Sequence, residues 1–201
     1  MKLYFSPGAS SLAAHIALCE SGLTFQPVAA PTKTKKLDDG SDYYDINPLG
    51  YVPLLELDDG TRLAEVPAIL QYIADQVPAK HLAPANGTAS RYRLQGWLTF
   101  IGMELHRSFS PLFNPALTDD AKTVFRDRLM GRLRWTEHEF AHKTFLMGES
   151  FTVADAYLFT VTNWAPRTGV DLTGFDRLNA FRTRVLARPA VQQAMKAEGL
   201  S

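Results

Sequence analysis

Three groups of residues in this sequence have the types and spacing for chemistry. His138-Glu139-Phe140-Ala141-His142 is a literal H-E-x-x-H, which on a helix sets two imidazoles on one face with a carboxylate general base between them. Ser10 and Ser11 open a helix-patterned stretch, where a hydroxyl caps backbone N–H groups or adds a hydrogen bond to the positive end of the helix dipole. His106 lies on a stripe with Thr99 and Met103 at i, i+4, i+7, apart from the apolar stripe of Leu94, Leu98, Ile101 and Leu105. Cys19 is the only cysteine and falls on the apolar face of the first helix, so it reads as a packed residue. A single cysteine excludes intramolecular disulfides and cysteine-rich zinc sites. The apolar positions Phe125, Leu129, Leu133 and Phe140 decide the H-E-x-x-H: at about 100° per residue, both histidines point away from that face. A zinc hydrolase working through His138, Glu139 and His142 needs them on the floor of a closed cleft, and the pattern puts them in solvent.

The elements that must position these residues follow from patterning. Lys2–Phe5 reads as a buried strand ended by Pro7-Gly8, and Ser11–Ser21 as a helix with Gly22 just past its end. Phe25–Val28 is a second strand, placed at an edge by Pro27. Leu54–Leu57, the turn Asp58-Asp59-Gly60 and Arg62–Ala64 form a hairpin, followed by a helix from Pro67 to Gln76. Residues 78–88 carry two prolines, a glycine and an asparagine and read as a linker. Beyond it the patterning is helical throughout: Ser90–Phe109, Thr118 to about Thr144, Thr152–Pro166, Leu178–Ala187 and Ala190–Glu198. Thr152 and Asp155 have the spacing of a capping box, which makes Asp155 a folding device. The expected architecture is an α+β domain over residues 1–80 and an all-α domain over 89–201.

Composition bounds the partners. The 201 residues carry 21 basic and 21 acidic side chains, so the balanced charge argues against a nucleic-acid or polybasic membrane surface. Apolar residues at 46% and charged residues at 21% fit a folded globular chain rather than a disordered one. No apolar run reaches the ~20 residues of a membrane span, and the first residues lack a signal-peptide pattern. The expectation is a soluble, cytoplasmic protein with no nucleic-acid or membrane partner.

The order and spacing of several short motifs resemble the cytosolic glutathione transferase family, and most closely its bacterial beta class. They are Met1–Ala9, Asn47-Pro48-Leu49-Gly50, Val52-Pro53, Asp58-Asp59-Gly60, Phe151–Phe159 and Arg188-Pro189-Ala190-Val191, and together they run nearly end to end. The resemblance implies a thioredoxin-like N-terminal domain, an all-α C-terminal domain, a homodimer and a glutathione site between the domains. It implies reduced glutathione as co-substrate, with no other cofactor and no metal.

Carried over residue by residue, the resemblance makes Val52-Pro53 a cis bond whose Val52 backbone pairs with the cysteinyl backbone of glutathione. An ordinary trans strand start is the alternative. Glu65 would face the γ-glutamyl ammonium, and Val66, where the family usually has glycine or serine, keeps only its backbone N–H. Lys35 would meet the glycyl carboxylate, or else belongs to a solvated charge run, Lys33–Lys36. Thr99 and His106 would line the electrophile side. The largest departure is Ser10, where the beta class usually carries cysteine, so a mixed disulfide at this position is ruled out. Thiolate stabilisation survives. Lowering a thiol pKa from ~8.5 by two units requires about 2.7 kcal/mol, and one hydrogen bond to a charged group contributes roughly 1.5–3 kcal/mol. Whether Ser10 or Ser11 serves the sulfur, or merely caps the helix, stays open at this point. The activity implied is conjugation of the glutathione thiolate to a small electrophile. A glutathione- or ligand-binding dimer with little turnover is the alternative.

Overall fold

The computed structural model describes residues 1–200 and divides into two compact units, Met1–Ala83 together with the segment from Ala187 onward, and Pro84–Leu186. Unit 1 is built on four strands, β1 (Lys2–Phe5), β2 (Gln26–Ala29), β3 (Leu54–Glu56) and β4 (Arg62–Ala64), in the order β2-β1-β3-β4. β1 runs parallel to β2 and antiparallel to β3, and β3 pairs antiparallel with β4. Proline in β2 is tolerated because that strand is an edge. The hairpin turn closes by Leu57 N–H to Thr61 C=O at 2.8 Å, with Gly60 in the left-handed conformation (φ 85°).

α1 (Ser11–Ser21) and α2 (Val66–Gln76) pack on each other, and α1 also contacts β1. Leu3, Leu12, Ile16, Leu55, Ile69, Leu70 and Ile73 are fully buried in this unit. A second cluster, Tyr4, Ala30, Tyr43 and Leu54, packs with Val28, Leu37, Ile46 and Val52. Tyr4, set opposite Leu3 and Phe5 by strand alternation, is therefore a core residue.

The helical run expected to form one domain to its end divides instead. The last helix, α9 (Pro189–Ala197), lies along α1 in unit 1. Val191 and Ala194 bury its apolar face, and Arg188 binds the Glu20 carboxylate through both Nε and Nη2. Apolar burial together with a two-point ion pair ties this segment to the first helix.

Unit 2 contains α3 (Ala89–Phe100), α4 (Arg107–Phe109), α5 (Asp119–Glu139), α6 (Val153–Thr162), α7 (Ala165–Thr168) and α8 (Asp176–Leu186). The helix expected over 90–109 is continuous but carries a π-helical segment at Ile101–His106, where Arg107 N–H bonds to Gly102 C=O. Such widened turns are energetically poor and concentrate at functional sites. α6 is buried along its whole length, and its start is a complete capping box. Asp155 accepts from Thr152 N–H, Thr152 Oγ1–H and Leu146 N–H, each at 2.8 Å. Among the described residues, no helix is long and apolar enough to cross a membrane.

Candidate functional site

The loop between β1 and α1 is held by its own hydroxyl. Ser11 Oγ accepts from Ser6 N–H (3.1 Å) and donates to Ser6 C=O (3.2 Å), and the residue is fully buried. The single O–H donor of Ser11 and one of its two acceptor lone pairs are thereby used within the loop. Ser10 does not cap the helix: it sits in right-handed helical geometry and makes no capping bond. Its Oγ donates instead to Val52 C=O at 3.1 Å, across 42 residues of sequence. The N-terminus of α1, the Ser10 hydroxyl and the Val52 carbonyl therefore meet at one place in unit 1.

Val52 itself is built into position. The Val52–Pro53 bond is cis. The preceding carbonyl, Tyr51 C=O, accepts from Tyr43 Oη–H (2.9 Å) and Asn47 Nδ2–H (2.8 Å). Burial pushes the Tyr43 phenol up to about 12, so it keeps the proton it donates. The Asn47-Pro48-Leu49-Gly50 motif thus clamps the backbone that leads into β3.

Lys35 separates from its neighbours. Lys33 and Lys36 are exposed, whereas Lys35 is half-buried with a left-handed backbone (φ 56°) and donates Nζ–H to Gly50 C=O at 2.5 Å. Its ammonium lies 6.0 Å from the centre of the Tyr44 ring. Gly50 makes this approach possible, because a Cβ there would sit 2.7 Å from the Tyr44 ring and 3.3 Å from Lys35 Cε. Such distances admit no side chain without displacing both neighbours.

Glu65 precedes α2 with φ 68° and ψ 120°, a conformation that L-residues other than glycine avoid. It is exposed, and its carboxylate makes no capping hydrogen bond. The strain is therefore not repaid by a local side-chain contact. Val66 begins α2 with its side chain buried. Its branched side chain turns into the core and leaves the helix start lined by backbone and Glu65.

In unit 2, His106 ends the π-helical segment. Its Nδ1 is 2.8 Å from Tyr157 Oη, and Trp164 stands edge-on to the imidazole with centroids 4.9 Å apart. Burial, with a smaller contribution from the Arg107 charge, lowers the imidazole pKa to about 4. His106 is thus neutral at neutral pH. One hydrogen is shared between Nδ1 and Tyr157 Oη; where Tyr157 supplies it, the ring proton resides on Nε2. Thr99 is exposed on the last turn of α3.

The comparisons with known proteins agree from several directions. Residues 9–76 match the family model for the glutathione S-transferase N-terminal domain, and residues 100–189 match that for its C-terminal domain. Glutathione S-transferase GstA of Escherichia coli O157:H7 is 44% identical over the whole of both chains. The chain belongs to the glutathione S-transferase family. Among solved structures, the bacterial transferase BphK in a ternary complex has a TM-score of 0.98 at 54% identity, covering all of both chains. Two sphingomonad transferases at 45% identity also match end to end. One was solved with glutathione (TM-score 0.96), and the other is a beta-class enzyme of Sphingomonas chungbukensis (TM-score 0.97). The present chain is a glutathione transferase related to the bacterial beta class.

Within unit 1 of the transferase, the structure joins Ser10 to Val52 and Lys35 to Gly50, and it leaves the Glu65 carboxylate uncommitted. Ser11 is committed to the loop. The H-E-x-x-H loses its geometric premise, because α5 stops at Glu139 and His142 falls on the following turn. Both histidines are exposed, Glu139 pairs with Lys143 at 2.7 Å, and no group of three potential metal ligands occurs among the described residues. Cys19 is held at a pKa of about 11 by burial, which keeps it a thiol.

Two supporting residues of the transferase escaped sequence reasoning. Tyr157 holds His106 from 51 residues away, and its only signal was membership of a buried helix. Glu198 had none: its Oε2 accepts Gly8 N–H at 2.9 Å and its Oε1 meets His15 Nδ1 at 2.9 Å, with the carboxylate wholly buried.

Proposed function

We propose that this transferase conjugates the thiolate of reduced glutathione to small electrophiles, with Ser10 stabilising the sulfur. The observation that carries this reading is the hydrogen bond from Ser10 Oγ to Val52 C=O, 3.1 Å long. A cysteinyl residue whose backbone N–H pairs with that carbonyl, as an added strand would, has its sulfur three bonds from the paired nitrogen. The sulfur then falls within reach of Ser10. The carbonyl has a second lone pair, and once the ligand N–H occupies it the Ser10 proton is free to turn toward sulfur.

The energetics suffice. A hydrogen bond to the thiolate contributes roughly 1.5–3 kcal/mol and the N-terminus of α1 another ~0.3–1 kcal/mol. Together they meet the ~2.7 kcal/mol that brings a thiol pKa two units down to the neutral range. His106 is neutral at neutral pH, and we assign it to the second substrate. We assign the γ-glutamyl ammonium to Glu65, its carboxylate to the backbone N–H of Val66 at the start of α2, and the glycyl carboxylate to Lys35. Val52-Pro53 presents the cysteinyl contact, and Thr99 and His106 serve the electrophile. The enzyme acts as a cytoplasmic homodimer and takes glutathione as co-substrate without a further cofactor.

Calorimetric titration with reduced glutathione, in buffers of different ionisation enthalpy, tests the reading. Wild type should release about 0.7 proton at pH 7, as a thiol pKa lowered from ~8.5 to ~6.5 requires, and Ser10→Ala should bind with little release. Equal proton release from both proteins would remove Ser10 from the chemistry.

A further inference from the structure

Three consecutive carbonyls of unit 1 are each held by a side chain. Gly50 C=O accepts from Lys35 Nζ–H and Val52 C=O from Ser10 Oγ–H, and both donors are assigned above to glutathione. Tyr51 C=O, between them, accepts from Tyr43 Oη–H at 2.9 Å and from Asn47 Nδ2–H at 2.8 Å. Neither of these two donors has a role in the assignments above.

The arrangement fixes a direction more than it fills a core. Tyr43 is fully buried and Asn47 is 8% exposed, whereas Tyr51 is 68% exposed. The Tyr51 side chain therefore gains little from packing, and its peptide is fixed through the carbonyl. A carbonyl oxygen has two acceptor lone pairs, and two donors fill both. The peptide unit is planar, so anchoring Tyr51 C=O also anchors Val52 N–H, and only φ and ψ of Val52 then lie between that plane and Val52 C=O.

The two donors are themselves held. Asn47 Oδ1 accepts from Leu49 N–H (3.3 Å), Asn47 C=O accepts from Gly50 N–H (2.7 Å), and Asn47 N–H donates to Tyr43 C=O (2.8 Å). Tyr43 N–H donates to Lys35 C=O (2.8 Å), and the residue belongs to the core cluster of Tyr4, Ala30 and Leu54. The turn that anchors Tyr51 is thus tied to Lys35 at one end and to Gly50 at the other.

We propose that Tyr43 and Asn47 are positioning residues of the transferase, which fix the direction of Val52 C=O through Tyr51 C=O and thereby the distance from the glutathione sulfur to Ser10. The proposal deepens the reading of Ser10 and Val52 given above and rests on it. A hydrogen bond weakens steeply with distance and angle, and misplacement of a bound group by about 1 Å through a remote substitution can cost about 100-fold in rate. Since either donor alone still holds the carbonyl, loss of both should exceed the sum of the single losses.

The test measures proton release on binding reduced glutathione, by calorimetry as a function of pH, in Tyr43→Phe, Asn47→Ala and the double variant. None of these substitutions adds a charge. The double variant should raise the midpoint of release by about one pH unit, from ~6.5 to ~7.5, which cuts release at pH 7 from about 0.7 to about 0.2 proton. Each single variant should raise it by about 0.3 to 0.5 of a unit, and these shifts decide the matter if the double variant does not fold. The pH profile of kcat/KM for a chlorodinitrobenzene, at saturating glutathione, should move with the midpoint. Ile46→Val trims the same core cluster without touching Tyr51 C=O, and should lower the urea midpoint while leaving proton release as in wild type. Variants that lose stability but keep the wild-type midpoint overturn the proposal, as does an Ile46→Val variant that shifts it equally. Release that disappears in Ser10→Ala but persists unchanged in the double variant removes the positioning role alone. Release unchanged in Ser10→Ala removes the reading of Ser10 and the proposal with it.

Discussion

Removing the Glu198 carboxylate perturbs the loop that carries Ser10 without touching any residue of that loop. In Glu198→Ala, Gly8 N–H and His15 Nδ1 both lose the acceptor that now stands 2.9 Å from each. The bond to His15 lies in protein interior, since the carboxylate is wholly buried and His15 is only 2% exposed, whereas the bond to Gly8 is part-buried. An orphaned buried donor costs about 1–3 kcal/mol at His15, and the loss of an ordinary hydrogen bond at Gly8 adds about 0.5–1.5 kcal/mol. Release of the buried carboxylate from its own desolvation offsets part of this, which leaves an expected loss of about 1–4 kcal/mol. Glu198→Gln keeps the volume and one acceptor oxygen for Gly8, and should lose only about 1–2 kcal/mol. Against a total stability of ~5–15 kcal/mol, losses of this size are readily measured. Equilibrium unfolding in urea at fixed pH and protomer concentration measures this as a fall in midpoint with unchanged slope. An alanine variant within about 1 kcal/mol of wild type, or a glutamine variant as damaged as the alanine one, would refute the argument that two hydrogen bonds to one carboxylate anchor the loop.

The pH dependence of stability should carry the signature of His106. Its folded pKa, lowered by burial to about 4 from 6.5, means that the unfolded chain binds the extra proton first. Its contribution is therefore complete above about pH 6.5 and is lost as pH falls toward 4, and His106→Gln should flatten stability across that window. Asp155, raised by burial to about 6, acts with the opposite sign over the same range, so the comparison is made against wild type and not against a flat line. Glu65→Gly should relieve the φ of 68° and raise the urea midpoint by about 1 kcal/mol equivalent, while weakening glutathione binding tenfold or more. A variant no more stable than wild type would show that the backbone there is unstrained. Gly50→Ala should weaken glutathione binding by displacing Lys35 and Tyr44, and a crystal structure of the variant with Lys35 unmoved would contradict that cause.

The sequence by itself determined everything that depends on neighbours along the chain. Alternation placed Leu3 and Tyr4 on opposite faces, Pro27 marked an edge strand, and Thr152 with Asp155 spelled a capping box. Each is governed by hydrogen bonds and burial within a few residues, so local pattern was enough. Family likeness added Val52, Lys35, Glu65 and His106, but it could not say what each side chain would touch. Tertiary structure alone decided three matters. It separated Ser10 from Ser11, because only the fold brings Val52 C=O to one hydroxyl and Ser6 to the other. It moved the last helix onto α1, because apolar residues at helical spacing show that a face is buried and not against what. And it set Glu198 under Gly8, 190 residues away, because a buried carboxylate goes wherever donors lie unsatisfied in three dimensions, which no local pattern records.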